Sequence, residues 1–218
     1  FNFSHNGGTI EQPIDFPDLE AFGHNNYTKE LDDLNQVLDW VETAYAKHSN
    51  INVSNITLVG HSRGGGIVTL KAAEDSRVKK LVSLAGVSDF KSRFPKGSDL
   101  DVWKSTGVRF VMNGRTKQQM PHYYQFYEDF MANASRLTIQ LAAKSLKVPH
   151  LIIHGDADTS VDLKEAFALH KWHPGGQLVV LKGANHVFGS HHPWDFSELP
   201  LYLQQIHSKI THFINNLC

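Results

Sequence analysis

Four short apolar runs constrain this chain more than any other feature: residues 56–59 (ITLV), 78–85 (VKKLVSLA), 148–154 (VPHLIIH) and 177–181 (QLVVL). Each has the length of a strand and is bounded by turn formers, and each lacks the strict apolar–polar alternation of a strand wetted on one face. Helical stretches separate most of them. Between 28 and 48 the apolar residues Leu31, Leu34, Val37, Leu38, Val41 and Tyr45 recur at spacings of three and four. That spacing predicts an amphipathic helix to about 48, with Thr28 as N-cap and Glu30 in its first turn. A last helix carries Leu199, Leu203, Ile206, Ile210, Phe213 and Ile214 on one face. Strands alternating with helices point to an α/β domain, a mostly parallel sheet with helices on both faces.

The rhythm breaks between 90 and 147, where nearly 60 residues stand in place of one connecting helix. This stretch reads as an insertion. A hairpin is expected around Asn113-Gly114, pairing 108–111 with 115–120, and helices are expected over 122–131 and 137–146.

Composition narrows the partners. Twenty-one basic residues balance 22 acidic ones for a net charge of −1, which gives no general attraction to nucleic acid or to an anionic membrane. With 41% hydrophobic and 20% charged residues, 218 residues are ample for one packed core. No apolar run approaches the roughly 18 residues of a membrane span, and the first residues lack the basic-then-apolar pattern of a signal peptide. The single cysteine, Cys218, permits no intrachain disulfide, so a reducing, cytoplasmic setting is expected.

The most specific local signal is Gly60-His61-Ser62-Arg63-Gly64, placed directly after one apolar run and directly before a helical stretch. A sharp strand-to-helix turn presents a serine hydroxyl at the sheet's edge, flanking glycines remove Cβ clashes, and the helix N-terminus offers N–H groups to an anion. The plainer alternative is a glycine-rich turn with a capping serine. A serine nucleophile needs a base and an orienting acid, and later loops supply both types. His154-Gly155-Asp156-Ala157-Asp158-Thr159-Ser160-Val161 follows one strand and Gly183-Ala184-Asn185-His186-Val187 follows the last. Of 14 histidines, His186 alone sits in a glycine-led loop after the last strand. Carboxylates at Asp156, Asp158 and Asp89 all follow strands. The adjacent His191 and His192 point apart and have no Cys or carboxylate at ligand spacing, so neither metal nor cofactor is expected.

The motifs GHSRGG, HGDADTSV and GANHVF, in the order Ser, Asp, His, resemble those of the α/β-hydrolases, and the insertion's WKSTG, NGRTKQ and PHYYQFYED resemble stretches of bacterial esterases and of acyl-peptidase-like or lysophospholipase-like proteins. The resemblance implies an α/β-hydrolase domain over 1–218 with a cap inserted at about 90–147. It makes Ser62 the nucleophile, His186 the general base and then acid, and the backbone N–H of Arg63 an oxyanion donor. Asp158, four residues after His154, becomes the carboxylate that holds the imidazole, with Asp156 and Asp89 as rivals.

FNFSHNGGT resembles the family's FxFxGxGxS strand and turn, so 1–3 are expected as a strand end. The family's earlier strands, and the loop bearing a second oxyanion donor, are then expected to be missing from these residues, leaving 4–8 as a substitute source. The implied reaction is hydrolysis of a small carboxylic ester through an acyl-enzyme. A serine peptidase acting on a peptide substrate, or a binding protein on an inactive hydrolase fold, are the alternatives. Within the insertion Tyr123 and Tyr124 are candidate substrate contacts. Yet Tyr123, Phe126, Tyr127 and Phe130 also have the spacing of a buried helix face.

Overall fold

The computed structural model describes residues 1–216, so Cys218 lies outside the described residues. In chain order the elements begin with helices α1 (Leu19–Gly23) and α2 (Tyr27–Tyr45), strand β1 (Ile56–His61), helix α3 (Arg63–Glu74) and strand β2 (Val78–Leu84). Helix α4 (Ser98–Thr106), strands β3 (Val108–Met112) and β4 (Gln119–Tyr123), and helices α5 (Gln125–Ala132) and α6 (Ile139–Ser145) follow. Strand β5 (His150–Gly155), helix α7 (Lys164–Trp172), strand β6 (Gln177–Leu181) and helix α8 (Leu201–Asn216) complete the order. These form two compact units, Phe1–Ala44 with Lys91–Leu137, and Tyr45–Phe90 with the residues from Thr138 onward.

The four apolar runs build the second unit. They pair in the order β1-β2-β5-β6, all parallel, as the alternating pattern predicts. Because successive side chains point to opposite faces, the two faces of the sheet carry different neighbours. Val82, Leu151, Ile153 and Leu181 pack with Ile206 and Phe213 of α8 on one face. On the other, α3 approaches so closely that a Cβ on Gly65 would stand 2.7 Å from Gly86 Cα and 3.5 Å from Ser83 Cβ. A Cβ on Gly66 would likewise press on Phe90 at 2.7 Å and Ile139 at 2.8 Å. The buried Lys80 keeps its ammonium satisfied by donating to the Ile214 carbonyl at the end of α8. Among the described residues no helix is long and apolar enough to cross a membrane.

The first unit departs from the sequence expectations in several places. Residues 1–3 are not a strand; the Phe1 and Phe3 rings meet edge to face at 5.3 Å, and no ladder partner is present among the described residues. Helix α2 starts two residues earlier than a Thr28 cap implies because Asn26 caps it, its Oδ1 accepting from Lys29 N–H at 2.9 Å. The Thr28 hydroxyl instead donates to Asp129 at 2.9 Å.

The hairpin exists, but its second strand is β4 over Gln119–Tyr123, not 115–120. Asn113 Oδ1 accepts from both Arg115 and Thr116 N–H, and Lys117 has a positive φ of 59°, which extends the turn through 118. The strand then takes Tyr123 from the expected helix, which starts at Gln125. Phe126 and Phe130 do form a buried face, packed with Tyr27, Phe94 and Trp103. Tyr123 does not join them.

Candidate active site

Strand β1 ends at His61 and helix α3 begins at Arg63, so Ser62 has to turn the chain within a single residue. It does so at φ 55°, ψ −121°, a conformation that costs a non-glycine residue about 1–3 kcal/mol. Three backbone hydrogen bonds hold it there. Ser62 N–H donates to the Leu84 carbonyl at 2.9 Å, while its own carbonyl accepts from Gly65 at 3.0 Å and Val87 at 3.2 Å.

The glycines around this turn are not equivalent. A Cβ on Gly60 would stand 2.3 Å from the Gly64 carbonyl oxygen, whereas a Cβ on Gly64 would meet nothing within 4 Å. The expected pair of flanking glycines is therefore replaced by Gly60 and Gly65, the latter needed where α3 crosses the loop after β2.

The serine does not cap its helix: its side chain makes no capping hydrogen bond. Its Oγ lies instead 3.0 Å from His186 Nε2, and His186 Nδ1 lies 2.7 Å from Asp158 Oδ2. The three residues come from the ends of three strands, at the carboxyl edge where open α/β sheets place their ligands. A carboxylate only accepts, so the Nδ1 proton belongs to this bond and Nε2 is left to accept from the Ser62 hydroxyl.

The acid loop is tightly specified. Asp158 has a fully buried side chain; its Oδ1 accepts from Ser160 N–H at 2.8 Å and Val161 N–H at 2.9 Å. Burial pushes its carboxyl pKa up, but the Val161 N–H, the His186 ring and the Ser160 N–H outweigh that and hold it below the usual carboxylate value. The carboxylate is thus the resident form opposite His186.

Asp156, the rival in the same loop, is engaged elsewhere, its Oδ1 accepting from Gly183 N–H at 2.5 Å. Its backbone N–H donates to Leu181, and Ala157 N–H donates to Ala184, so the acid loop and the histidine loop are stitched together. Asp89, the other rival, stands exposed after β2. The histidine loop is pinned from below by Phe188, 1% exposed and part of the cluster with Ile206 and Phe213.

Two contacts here escaped the sequence reading. His61 Nε2 donates to the His186 carbonyl at 2.8 Å, with the two rings 4.7 Å apart. Crowding by its neighbours lowers the His61 pKa by desolvation, against the opposing pull of that carbonyl. His154, wholly buried, donates from Nε2 to the Val161 carbonyl at 2.8 Å. Only the clustering of histidines at strand ends hinted at either.

Arg63 is the first residue of the 12-residue α3, where first-turn N–H groups lack an intrahelical acceptor, immediately beside Ser62. Tyr123 and Tyr124 belong to the first unit. The Tyr123 hydroxyl donates to Glu20 at 2.5 Å, its ring lying over Gly23, and the Tyr124 ring stands edge-on to Trp103 at 5.6 Å.

Residues 23–190 match the family model described as alpha/beta hydrolase fold. The chain belongs to the α/β-hydrolase fold family. Within that family it is similar to an uncharacterized peptidase of Bacillus subtilis strain 168, 27% identical over 126 residues. That match covers 57% of this chain and 43% of the peptidase.

Among solved structures, the monoacylglycerol lipase of Paleococcus ferrophilus aligns with a TM-score of 0.61 at 16% identity, over 88% of this chain and 76% of its own. The esterase domain of a Rhodothermus marinus protein aligns with a TM-score of 0.50 at 20% identity, over 78% of this chain and 63% of its own. At these identities the structural likeness concerns the fold. This α/β-hydrolase chain spans less than half the length of the curated peptidase and under two thirds of the esterase-domain chain.

Proposed function

We propose that this α/β-hydrolase is a serine hydrolase that cleaves small carboxylic esters through an acyl-enzyme. The observation that carries the reading is the engagement of the Ser62 hydroxyl with His186 in place of a helix-capping bond. His186 Nε2 takes the hydroxyl proton as Ser62 Oγ bonds to the ester carbonyl carbon. Asp158 stabilises the resulting imidazolium and keeps its orientation. The negative charge that develops on the carbonyl oxygen is met by the Arg63 N–H at the positive end of α3. His186 returns the proton to the departing alkoxide, which leaves as the alcohol. Water, deprotonated by the same nitrogen, then attacks the acyl-enzyme and releases the carboxylic acid and free Ser62.

The same cycle cleaves amides, and the match to a curated peptidase makes peptide hydrolysis the second reading. Esters are preferred because an alkoxide leaves the tetrahedral intermediate far more readily than an unprotonated amide nitrogen. The similar structures also include an esterase domain and a lipase.

A fluorophosphonate probe tests the mechanism. It is expected to add one phosphonyl group to the protein and none to Ser62→Ala; labelling that persists in the alanine variant removes the assignment. A panel of p-nitrophenyl esters beside aminoacyl p-nitroanilides then separates the two substrate classes.

A further inference from the structure

The carboxylate of Asp158 sits between two imidazoles, and only one of them belongs to the proposed machinery. Its Oδ2 receives His186 Nδ1 at 2.7 Å and stands 3.3 Å from His154 Nε2. His154 is the penultimate residue of β5, 0% exposed, and its Nε2–H also donates to the Val161 carbonyl at 2.8 Å. The carbonyl can only accept, so the proton is on Nε2, and Nδ1 is left buried without a hydrogen-bond partner. Burying an unsatisfied polar atom costs about 1–3 kcal/mol. An apolar residue of similar volume avoids that penalty but removes the donor to the Val161 carbonyl, a cost of the same order, so fold stability alone does not call for histidine here.

The geometry points to His154 as a positioning residue for the acid, a role that rests on the proposed serine-hydrolase reading. Its ring ties the far end of the loop, Val161, back to the rigid strand. Val161 is also the residue whose N–H holds Asp158 Oδ1 at 2.9 Å. The remaining freedom of the carboxylate is rotation of Oδ2 away from His186, and the His154 ring, whose Nε2 stands 3.3 Å from the same oxygen, limits it by occupying that space. One side chain thereby bears on both oxygens of the acid, holding Oδ1 through the Val161 backbone and crowding Oδ2.

The consequence is read at His186. Its ring faces Asp158 Oδ2 from the acid loop, Ser62 Oγ from the turn and the His61 ring from the end of β1. Asp158 is the acidic group among these. If it is loosened, the imidazolium that forms during turnover loses its counter-charge.

The experiment compares His154→Leu, which fills the space without a donor, with His154→Gln, whose amide N–H reaches the region of the imidazole Nε2. Rates are normalised to the fraction labelled by fluorophosphonate. The leucine variant is expected to lose roughly 10- to 100-fold in kcat, the scale of a misplaced reacting group, with KM little changed and the acid limb of kcat/KM moved to lower pH. The glutamine variant is expected to recover most of the rate and the limb. In parallel, the far-downfield proton resonance of His186 Nδ1–H is followed; it is expected to weaken in His154→Leu and persist in His154→Gln, whether or not any ester is turned over.

A leucine variant with the wild-type limb and resonance overturns the proposal, as does a glutamine variant equal to leucine in both readouts. Should His154→Leu fail to fold, the resonance in His154→Gln decides: retained at wild-type intensity it supports the role, and lost in a folded protein it refutes it. Wild type without labelling or turnover refutes the hydrolase reading, and the resonance then decides the positioning role by itself.

Discussion

Gly155 and Ala184 cross so closely that a Cβ on the glycine would stand 2.0 Å from the Ala184 carbonyl oxygen. This crossing lies between the loop that carries Asp158 and the loop that carries His186, and the same Ala184 carbonyl accepts from Ala157 N–H at 3.1 Å. The clash involves backbone on one side, so no side chain can swing away to relieve it. Gly155→Ala is therefore expected to lose about 3 kcal/mol or more of stability, the range of severe steric lesions. Turnover per folded molecule should fall with it, because any relief separates the two loops. Chemical denaturation with active-site titration checks this, and an unchanged denaturation midpoint contradicts it.

The two loop aspartates should separate cleanly on substitution. Asp158→Asn keeps the shape but lets Nδ1 lose its carboxylate, and a fall in kcat of about 10⁴ is expected by analogy with the triad aspartate of serine proteases. Asp156→Ala removes the acceptor for Gly183 N–H. It is expected to cost about 1 kcal/mol of stability and less than tenfold in kcat, since the stitching through Ala184 remains. Steady-state rates for the pair decide the matter; equal losses would show that Asp156 shares the acid's role.

Around Ser62, the glycine nearest in motif is the one expected to be dispensable. Gly64→Ala meets open space within a helix and should raise stability by up to about 1 kcal/mol through helix propensity. Gly60→Ala and Gly65→Ala run into the Gly64 carbonyl at 2.3 Å and Gly86 Cα at 2.7 Å, so both should destabilise and reduce labelling by fluorophosphonate. Melting temperatures of the three variants rank them directly.

What could be read from sequence follows the range of the interaction. Strands β2 and β5 were legible because burial on both faces writes itself into consecutive residues, and β1 and β6, half-exposed at the sheet's edges, were legible as short apolar runs between turn formers. The loops bearing Ser62, Asp158 and His186 were legible because each follows a strand with its own glycine signal. The Asn26 cap was not, since Thr28 is an equally good cap by type and only its contact with Asp129, a hundred residues away, removes it. Nor was the start of β4, which the Asn113 turn shifts by four residues. His61 was invisible as a neighbour of His186 because no periodicity records a contact between the ends of different strands, and His154, only four residues before Asp158, carries no local signal that its ring turns back onto that loop.

Stability below neutral pH should be governed in part by a histidine at the opposite end of β5 from the Asp158 loop. His150 opens β5 with no exposed surface, and its Nε2 is hydrogen-bonded to the Ser83 hydroxyl at 2.8 Å. Burial, helped by the nearby His173, pushes its pKa down from 6.5 to about 3. The folded value lies below the unfolded one, so between these pH values the unfolded chain binds a proton that the folded chain does not. Stability from this group is thus fully present above about pH 6.5 and is lost progressively as pH falls toward 3, with a slope near 1.4 kcal/mol per pH unit. Replacing the pair with His150→Leu and Ser83→Ala removes the titrating group together with its orphaned partner. Urea denaturation between pH 7 and pH 4.5 should then show a stability curve flatter by roughly that slope, and parallel curves for wild type and variant would sink the assignment.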